Sequence, residues 1–396
     1  MRIMMINTLC GTGSTGKIVK QIARKATERG HECLIAHRYT EKGMGEQEGT
    51  VGVSSWLDCH IHNRLARLTM LRGCFSAVRT RRFIKKAKAF SPDVIHLNNI
   101  HGNFINLRML FRYLKRADAK VVWTFHDCWP VTGYCKYFDM IGCDRWQEKC
   151  GSCPQKGSAI WDISSFMLKK KRKMFASVKD MTVVTPSVWL RDIVKRSYFR
   201  DHPCEVINNG IDLSVFKPTE SDFRKKHGLD GKKIILGVAF DWDKRKGLDV
   251  FCDLARRLSD EYRIVIVGAD ERAAKMLHEN ITVIQRTATQ RELAEIYTAA
   301  DLFVNPTREE NYPTVNMEAL ACGVPVLTYD TGGSAEIITE SCGSSVAKDD
   351  IDALTSEIIR ICEERPYTKE ACLDRAKSFD MNERFDEYVE LYESLI

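Results

Sequence analysis

The stretch Thr307-Arg-Glu-Glu-Asn-Tyr-Pro-Thr-Val-Asn-Met-Glu318-Ala-Leu-Ala-Cys-Gly-Val-Pro-Val326 decides the fold of this chain. Its Pro-Thr pair predicts the start of a helix, and Gly-Val-Pro predicts the end of that helix before an apolar strand. The carboxylates Glu310 and Glu318 lie on either side of the helix start. A bare helix N-terminus favours an anion such as a diphosphate, and nearby carboxylates accept hydrogen bonds from sugar hydroxyls. The stretch therefore indicates a nucleotide-sugar site rather than a protein interface.

The size and composition of the chain fit a globular protein of two or three domains. It has 396 residues, of which 44% are apolar and 29% are charged. Its apolar runs are too short to span a membrane, and its N-terminus has neither a long apolar region nor a cleavage site. The 15 cysteines are scattered through apolar segments, which predicts reduced thiols and a cytoplasmic protein.

Basic charge is concentrated in the first half of the chain. Residues 1–200 contain 36 Lys or Arg and 15 Asp or Glu, and the basic residues cluster in Arg64 to Lys88 and Lys169 to Lys173. These clusters fit either solvated helix faces or a surface that meets an anionic membrane. Nucleic acid is a weaker interpretation, because aromatic residues are not interleaved for base stacking. We expect a peripheral protein on the inner face of the cytoplasmic membrane that binds no nucleic acid.

Alternating strand and helix patterns predict two doubly wound, Rossmann-like α/β domains facing a cleft. The predicted strands are 2–7, 33–37, 93–97, 120–125, 181–185, 204–207, 233–238, 262–267, 281–284, 301–305 and 324–328. The pattern restarts near residue 233, after turn and linker residues at 207–218. We expect an acceptor-binding domain over 1–212, a nucleotide-sugar-binding domain over 213–375, and a terminal helix within 376–396 that packs back across the domains.

The loop Cys10-Gly-Thr-Gly-Ser-Thr-Gly16-Lys17 follows the first predicted strand and resembles a phosphate-binding P-loop. Position 18 is Ile, so the hydroxyl that holds Mg²⁺ in a P-loop is missing. A Gly-rich turn still lets backbone N–H groups approach a phosphate, although a ligand-free tight turn is the alternative.

Two further segments lie where predicted strands end. Asp241-Trp-Asp-Lys-Arg-Lys246-Gly247 places three cations before a helix, which would suit a diphosphate, although surface lysine clusters are common. His126 and Asp127 follow a buried strand, where an imidazole could bind a sugar hydroxyl or move a proton. A core histidine without a function is the alternative.

Four cysteines are close in sequence between Gly133 and Pro154. Cys135, Cys143, Cys150 and Cys153 have the spacing C-x7-C-x6-C-x2-C. They could hold a structural zinc ion, and free or paired thiols are the alternative.

Taken together, these motifs resemble the retaining glycosyltransferases of family 4, which have the GT-B architecture. The resemblance runs along nearly the whole chain and is strongest at 209–216, 299–306 and 310–333, the last carrying the E-x7-E signature. His126 to Gly133 and the cysteine-rich loop look like a bacterial subgroup that builds capsule, exopolysaccharide or O-antigen units.

The resemblance implies roles for individual residues, of which His126, Glu310 and Lys246 form the catalytic set. Glu310 would bind hydroxyls of the donor sugar, Lys246 would bind the diphosphate, and His126 would contact the sugar near the reacting centre. The other expected donor ligands are Gly13, Ser14, Thr15, Gly16, Arg245, Thr314, Val315 and, at the ribose, Glu318. We expect Asn99, His101 and Asp127 to contact the acceptor. Phe240 stands where family members usually have Arg, and Arg245 or Lys244 would replace that cation.

The sequence therefore predicts a hexosyltransferase with a nucleoside diphosphate sugar as donor and a saccharide acceptor, carried on a polyprenyl diphosphate. No cofactor is expected for catalysis. Two alternatives stay open, a sugar-nucleotide epimerase on the same fold and a non-catalytic nucleotide-sugar-binding protein.

Overall fold

The chain divides into two compact units in a computed structural model that describes residues 1–39, 48–275 and 277–396. Unit 1 comprises 1–208 and 384–396, and unit 2 comprises 209–383. The sequence placed these boundaries at 212 and 376 instead. The difference arises because the Ile211 N–H donates to the Phe379 carbonyl (2.8 Å) and the Met381 N–H donates to the Ile211 carbonyl (3.0 Å). These bonds tie the segment after residue 208 to the end of unit 2.

Unit 1 is built on a parallel sheet with the strand order β3-β2-β1-β4-β5-β6-β7 among its described residues. Its strands are β1 (Arg2–Ile6), β2 (Glu32–His37), β3 (Thr50–Gly52), β4 (Val94–Leu97), β5 (Lys120–Thr124), β6 (Met181–Thr185) and β7 (Cys204–Val206). Its helices before residue 208 are α1 (Gly13–Glu28), α2 (Trp56–Thr69), α3 (Ala77–Phe90), α4 (Leu107–Leu114), α5 (Ser164–Phe175) and α6 (Val188–Arg196).

The core of unit 1 follows from the apolar faces of these elements. Strands β4 and β6 are buried along their whole length, as expected for parallel strands covered on both faces. Beside the sheet, the rings of Phe111, Trp123, Phe175 and Phe199 form an aromatic cluster with centroid distances between 4.5 and 6.5 Å. This packing fixes the carboxyl ends of β4 and β5, which carry predicted site residues.

Unit 2 has a second parallel sheet, with the strand order β10-β9-β8-β11-β12-β13 in its described part. Its strands are β8 (Lys233–Val238), β9 (Tyr262–Val267), β10 (Ile281–Ile284), β11 (Leu302–Asn305), β12 (Val326–Tyr329) and β13 (Gly343–Val346). Its helices are α7 (Phe223–Lys226), α8 (Leu248–Arg257), α9 (Glu271–Ala274), α10 (Gln290–Ala299), α11 (Thr314–Ala321), α12 (Ile351–Glu364) and α13 (Lys369–Lys377), and a short 3₁₀ turn spans Ala335–Ile337. The two parallel sheets with flanking helices confirm the predicted α/β class.

The last helix, α14 (Met381–Leu395), completes unit 1. The Tyr392 hydroxyl lies 2.7 Å from Nδ1 of the buried His96, and the Thr124 hydroxyl donates to the Tyr388 hydroxyl (3.2 Å). The buried side chains of α14 are Phe385, Tyr388, Val389 and Tyr392, whereas Leu391 and Leu395 are half-buried. Among the helices in the described ranges, none is both long and apolar enough to cross a membrane.

Candidate functional site

Three loops of unit 2 follow the carboxyl ends of the neighbouring strands β8, β11 and β12. In open parallel sheets ligands bind beyond these strand ends. The loop after β8 carries Arg245 and Lys246, and the loop after β11 carries Glu310. The structure thus brings the predicted donor residues of unit 2 to one edge of its sheet.

The Lys246 ammonium and the Glu310 carboxylate form a hydrogen-bonded ion pair. Both side chains are largely buried. Burial acts to raise the pKa of Glu310, but the charge of Lys246, its hydrogen bond and the charge of Arg245 outweigh burial and lower the pKa. Glu310 is therefore ionised at neutral pH. The pair offers an anion-binding ammonium and a hydroxyl-binding carboxylate side by side.

Arg308 fixes the loops that carry this pair, a role that sequence reasoning missed. Its guanidinium donates to both carboxylate oxygens of Asp249 (2.8 and 3.0 Å) and to Asp349 (2.5 Å). It also donates to the Lys244 carbonyl, and its backbone N–H donates to the Arg245 carbonyl (2.8 Å). Burial alone would lower the pKa of Arg308. The hydrogen bonds and charges of Asp249 and Asp349 outweigh burial and raise the pKa above its usual value, so Arg308 stays charged.

Gly332 allows the loop after β12 to pass against the backbone of Glu310. Its φ is +57°, and a Cβ there would lie 1.6 Å from the Glu310 carbonyl oxygen. Next to it, the Gly333 N–H donates to the Asn311 carbonyl (2.9 Å), and the Thr331 hydroxyl donates to the Thr307 carbonyl (2.8 Å). The segment Thr331-Gly-Gly333 after β12 therefore holds the Glu310 loop in place.

The N-terminus of α11 has no side-chain cap. Its first residue is Thr314, followed by Val315, and the preceding Pro313 makes no side-chain cap hydrogen bond. No acidic residue lies in the first turn. The first N–H groups and the helix dipole thus favour an anion, as predicted from the Pro-Thr pair.

A buried polar network holds the first turn of α11 in place. The Asn305 amide donates to the Asn316 side chain (2.7 Å), and the Asn316 amide reaches the Ser334 hydroxyl (3.2 Å). Ser334 also lies 2.8 Å from the Thr328 hydroxyl. The network links β11, β12 and α11, so their relative positions are fixed by paired polar groups.

Glu318 lies four residues into α11, and its carboxylate accepts a hydrogen bond from the Tyr297 hydroxyl (3.1 Å). Tyr297 is buried on α10, and its hydroxyl also contacts the Val315 carbonyl (3.3 Å). Burial, followed by the charge of Glu318, raises the pKa of Tyr297, which keeps the hydroxyl a donor. Tyr297 thus orients Glu318, a role that the E-x7-E spacing does not reveal.

Phe240 projects into solvent after β8, with 90% of its surface exposed. The cation that the family usually has there is missing from this position. Arg245 is half-buried, its guanidinium lies 3.8 Å from Asp243 and 3.5 Å from the Glu309 carbonyl, and its charge lowers the pKa of Glu310. Lys244 is exposed, so Arg245 is the better placed of the two replacements.

In unit 1, the Gly-rich loop forms the N-terminus of α1. Gly13 to Gly16 are its first four residues, Thr12 makes no side-chain cap bond, and the first turn has no acidic residue. The buried Asn7 supports the loop, because its amide donates to the Leu9 carbonyl (2.8 Å) and lies 3.5 Å from the Thr15 hydroxyl. Asn7 also accepts the Asn99 N–H (3.0 Å). The predicted phosphate loop and Asn99 therefore lie together.

His126 follows β5 and lies beside Asn98 at the end of the neighbouring strand β4. Its Nε2 is 2.9 Å from the side-chain amide oxygen of Asn98, an acceptor that places the proton on Nε2. Burial lowers the pKa of His126 to about 4, opposed by Asp127. The imidazole is therefore neutral at neutral pH, which favours hydrogen bonding over charge neutralisation.

His101 and Asp127, both predicted to contact an acceptor, pair with each other. His101 Nε2 lies 3.3 Å from the Asp127 carboxylate, and its ring stacks on Trp129 with 5.1 Å between centroids. The other Asp127 oxygen accepts the Trp129 N–H (2.9 Å). Burial raises the pKa of Asp127 and lowers that of His101. Both side chains are buried and act within unit 1 as a polar core beside His126.

The cysteine-rich loop carries the four cysteines that are predicted to hold zinc. Its four cysteines are free, and the described residues contain no group of three or more His, Cys, Asp or Glu that could hold a metal ion. Burial raises the pKa of Cys135 to about 12. Cys150 Sγ accepts the Gly133 N–H (3.3 Å). Structural zinc at these cysteines stays a prediction.

Lys171 anchors the start of that loop. It is buried on α5, donates to the carbonyls of Trp129 (2.7 Å) and Thr132 (3.0 Å), and lies 3.5 Å from the Trp129 ring centroid. Burial lowers the pKa of Lys171. A single lysine therefore satisfies backbone carbonyls that the irregular loop leaves unpaired.

Comparison with known proteins covers both units. The family model "Glycosyltransferase Family 4" matches residues 15–215, and the model "Glycosyl transferases group 1" matches residues 219–379. WcaC of Escherichia coli (strain K12), named for glycosyl transfer in colanic acid biosynthesis, is 25% identical over 422 residues, with 100% of each chain covered.

Solved structures share the fold at low identity. Sucrose-phosphate synthase from Thermosynechococcus elongatus has a TM-score of 0.75 at 18% identity, covering 100% of this chain and 98% of that chain. The Anabaena protein HepE in complex with UDP has a TM-score of 0.70 at 15% identity, covering 100% of both chains. These likenesses support the GT-B architecture. Because the first family model alone matches half of the sequence, the chain belongs to Glycosyltransferase Family 4 and is a glycosyltransferase.

Proposed function

We propose that this glycosyltransferase moves a hexose-type sugar from a nucleoside diphosphate donor to a saccharide acceptor, with retention of anomeric configuration, in the assembly of a bacterial surface polysaccharide. The observation that carries the proposal is the Lys246–Glu310 ion pair in a unit that also presents the open N-terminus of α11 and, four residues into that helix, Glu318. The polysaccharide context rests on the name of WcaC and its match over the whole chain.

The donor would bind to unit 2. Lys246, Arg245 and the N–H groups of Thr314 and Val315 would stabilise the diphosphate, and their positive charge would be worth most as the diphosphate departs. Glu318 would accept hydrogen bonds from the ribose hydroxyls. Glu310 would accept hydrogen bonds from hydroxyls of the donor sugar, and Lys246 would keep the Glu310 carboxylate ionised. In this proposal side chains and backbone stabilise the leaving group, so the reaction needs no added divalent ion.

The transfer step would use the leaving phosphate as the base. The bond between the anomeric carbon and the phosphate oxygen breaks, and the nucleoside diphosphate leaves with the electron pair. The acceptor hydroxyl forms the new bond on the same face of the sugar, and its proton passes to the departing phosphate oxygen. His126, neutral because burial lowers its pKa to about 4, would hydrogen-bond the transferred sugar.

We assign the acceptor to unit 1, at Asn99 and the paired His101 and Asp127, whereas Gly13 to Gly16 stay predicted ligands of the donor. The basic residues of unit 1 favour an acceptor whose lipid carrier is a polyprenyl diphosphate at an anionic membrane.

Donor binding is tested first by thermal unfolding with UDP-, GDP-, ADP- and dTDP-sugars, since a ligand of the folded state raises the melting temperature. With the donor so identified, Glu318→Ala should weaken its affinity about tenfold or more in calorimetry, because a charged hydrogen bond is lost. The matched control is Glu340→Ala, an exposed residue that should leave the affinity unchanged. Equal affinity of the Glu318→Ala variant and the wild type would remove Glu318 from the ribose role.

Transfer itself is tested with that donor and a polyprenyl-diphosphate-linked saccharide, in buffer with a chelator. We expect a glycosylated product whose new linkage has the donor's anomeric configuration in NMR spectra. Conversion of the donor without acceptor would indicate an epimerase, and an inverted linkage or a strict requirement for a divalent ion would contradict the proposed chemistry.

A further inference from the structure

Helix α2 of unit 1 carries an unusual row of exposed apolar side chains, which we name the α2 stripe: Leu57, Ile61, Leu65 and Leu68. Their exposed fractions are 62%, 52%, 38% and 47%. The spacing of four, four and three residues puts them on one helix face. The opposite face, with Cys59, His62 and Ala66, is buried. A row of this kind on a folded unit marks a surface that meets another apolar phase.

More exposed apolar side chains lie next to the C-terminal end of the stripe. The Ile160 N–H donates to the Leu68 carbonyl (3.0 Å), so the loop with Ile160 and Trp161 lies against the end of α2. Both side chains are exposed, and so is Phe166 at the start of α5. The stripe therefore continues onto a second segment of the chain.

The segment that carries the α2 stripe is strongly basic. Residues 56–90 contain nine Lys or Arg and one carboxylate, Asp58, whose side chain accepts a hydrogen bond from the Ser54 hydroxyl (2.7 Å). A second copy of the same face would be repelled by this charge. The four side chains of the α2 stripe are aliphatic and give no stacking surface for nucleic acid, although the adjoining Trp161 and Phe166 are aromatic. Apolar residues rimmed by cations instead match the interface of an anionic bilayer.

A cavity opens beside the end of α2, lined by Arg72, Gly73, Cys74, Asn106, Leu107, Arg108, Met167, Lys170, Lys171 and Met174. We name it the Arg72 cavity. No carboxylate is among these residues. The Lys170 ammonium lies 3.1 Å from Cys74 Sγ and 5.9 Å from the Phe166 ring centroid, which joins the cavity to the exposed apolar residues.

The cations of the Arg72 cavity differ in the groups that they already contact. Lys171 is engaged with two backbone carbonyls. The Arg72 guanidinium stacks over Tyr134 at 4.4 Å from the ring centroid, which leaves its N–H edge for an anion. Arg108 is exposed at the start of α4. The volume of about 190 Å³ is below the range of most small-molecule sites, so it suits a phosphate group better than a whole nucleotide-sugar.

We propose that unit 1 docks on an anionic phospholipid bilayer by inserting the α2 stripe, and that the Arg72 cavity takes the phosphate of a lipid headgroup. The docking deepens the proposed function, since it would hold the enzyme where a lipid-linked acceptor lies. The docking is inferred from residues outside the proposed donor site, so it can be tested separately from the transfer reaction.

Flotation with vesicles of phosphatidylcholine, alone or mixed with phosphatidylglycerol, tests the docking. The wild type should float with the mixed vesicles and lose that binding as ionic strength rises. Ile61→Asp/Leu65→Asp should lower the partition coefficient about tenfold or more, because two inserted apolar side chains become charged. Ile359→Asp, at a comparably exposed position on α12 in unit 2, is the matched control and should float like the wild type.

The cavity is tested with a pair of variants of equal charge. Arg108→Gln/Lys170→Gln should weaken binding to the mixed vesicles several-fold more than Arg81→Gln/Arg82→Gln, whose residues are exposed on α3 outside the cavity. Equal losses would overturn the headgroup site and leave only diffuse charge attraction.

Two outcomes would overturn the docking: equal flotation with neutral and mixed vesicles, and wild-type flotation of the Ile61→Asp/Leu65→Asp variant. Conversion of a dimeric wild type into a monomer by that variant would show that the stripe joins two chains instead. Thermal unfolding and donor affinity of each variant confirm folding. Transfer to a water-soluble acceptor should be unchanged, so a failure of docking is distinguishable from a failure of the proposed function.

Discussion

Arg308 is a single residue on which the donor-side loops of unit 2 depend. Its guanidinium joins Asp249 at the start of α8, Asp349 before α12 and the Lys244 carbonyl. Three segments distant in sequence therefore meet at one planar group with five donors. Lys246 and Glu310 are placed by these loops, so their pairing depends on a residue outside the pair.

Arg308→Lys should separate positioning from charge, because it keeps the cation but loses the bidentate contact with Asp249. We expect a destabilisation of about 1–3 kcal/mol in thermal or urea unfolding. Donor affinity should also fall in calorimetry, since the Lys246 loop loses support. The control Arg256→Lys alters an exposed pair with Asp253 and should change stability by less than about 0.5 kcal/mol. Wild-type donor affinity in the Arg308→Lys variant would contradict the positioning role.

At the scale of elements, the open N-terminus of α11 conflicts with the helix's own stability. An acidic residue in the first turn stabilises a helix, and α11 has none there. α10 has the opposite design, with the Thr289 side chain accepting the Glu292 N–H (3.1 Å) and Glu292 in the first turn. The difference is expected if α11 has to leave its first turn to an anionic ligand.

Thr314→Glu should therefore stabilise the protein slightly, by about 0.3–1 kcal/mol, and weaken binding of a nucleoside diphosphate at least about tenfold. The stabilisation comes from the helix dipole, and the weakening comes from repulsion of the diphosphate. Gln290→Glu makes the same change at the first residue of α10 and should leave binding unchanged. Thermal unfolding and calorimetry measure both effects. Unaltered affinity in the Thr314→Glu variant would exclude the α11 N-terminus from the site.

Sequence patterns locate most strands and the loops after β8 and β11 that carry the predicted donor residues, because these signals are local. β8, β9 and β10 have the predicted bounds, since each is a run of β-branched residues between turns. β3 is only three residues long, and β13 reads Gly-Ser-Ser-Val, so neither carries an apolar signal. The roles of Tyr297 and Arg308 were missed because their partners are distant in sequence, and the same holds for the contact of Asn7 with Asn99. A single sequence does not encode such pairings in any spacing.

At the scale of the whole molecule, the buried histidines are concentrated in unit 1. Burial lowers the pKa of His62 and His126 to about 4 and that of His96 to about 3, against an ordinary value of 6.5. As the pH falls below 6.5, the unfolded chain binds protons that folded unit 1 excludes, so unit 1 loses stability. Asp127 acts in the opposite direction, because burial raises its pKa. In unit 2, Glu310 has a lowered pKa and loses its contribution only below its ordinary value of 4.5.

Unit 1 should therefore unfold before unit 2 when the pH is lowered from 6.5 toward 4.5. Hydrogen exchange resolved by peptide measures the two units separately in the same sample. Protection in β4 and β5 should decrease first, while protection in β8 and β11 persists. The control is His227→Gln in unit 2, at a histidine that is exposed in the structure, which should not alter the order. Earlier loss of protection in unit 2 would contradict the prediction that the buried histidines make unit 1 the less stable unit at low pH.

The position of α14 has a consequence for the order in which the chain matures during translation. Unit 1 is discontinuous, because residues 384–396 complete it after the whole of unit 2 has been synthesised. A nascent chain of about two hundred residues therefore lacks the tyrosines that cover His96 and Thr124. Unit 2 is continuous and can fold on the ribosome first, whereas unit 1 is complete only after residues 384–396 have been synthesised. The N-terminal half, although made first, would be the last to become native.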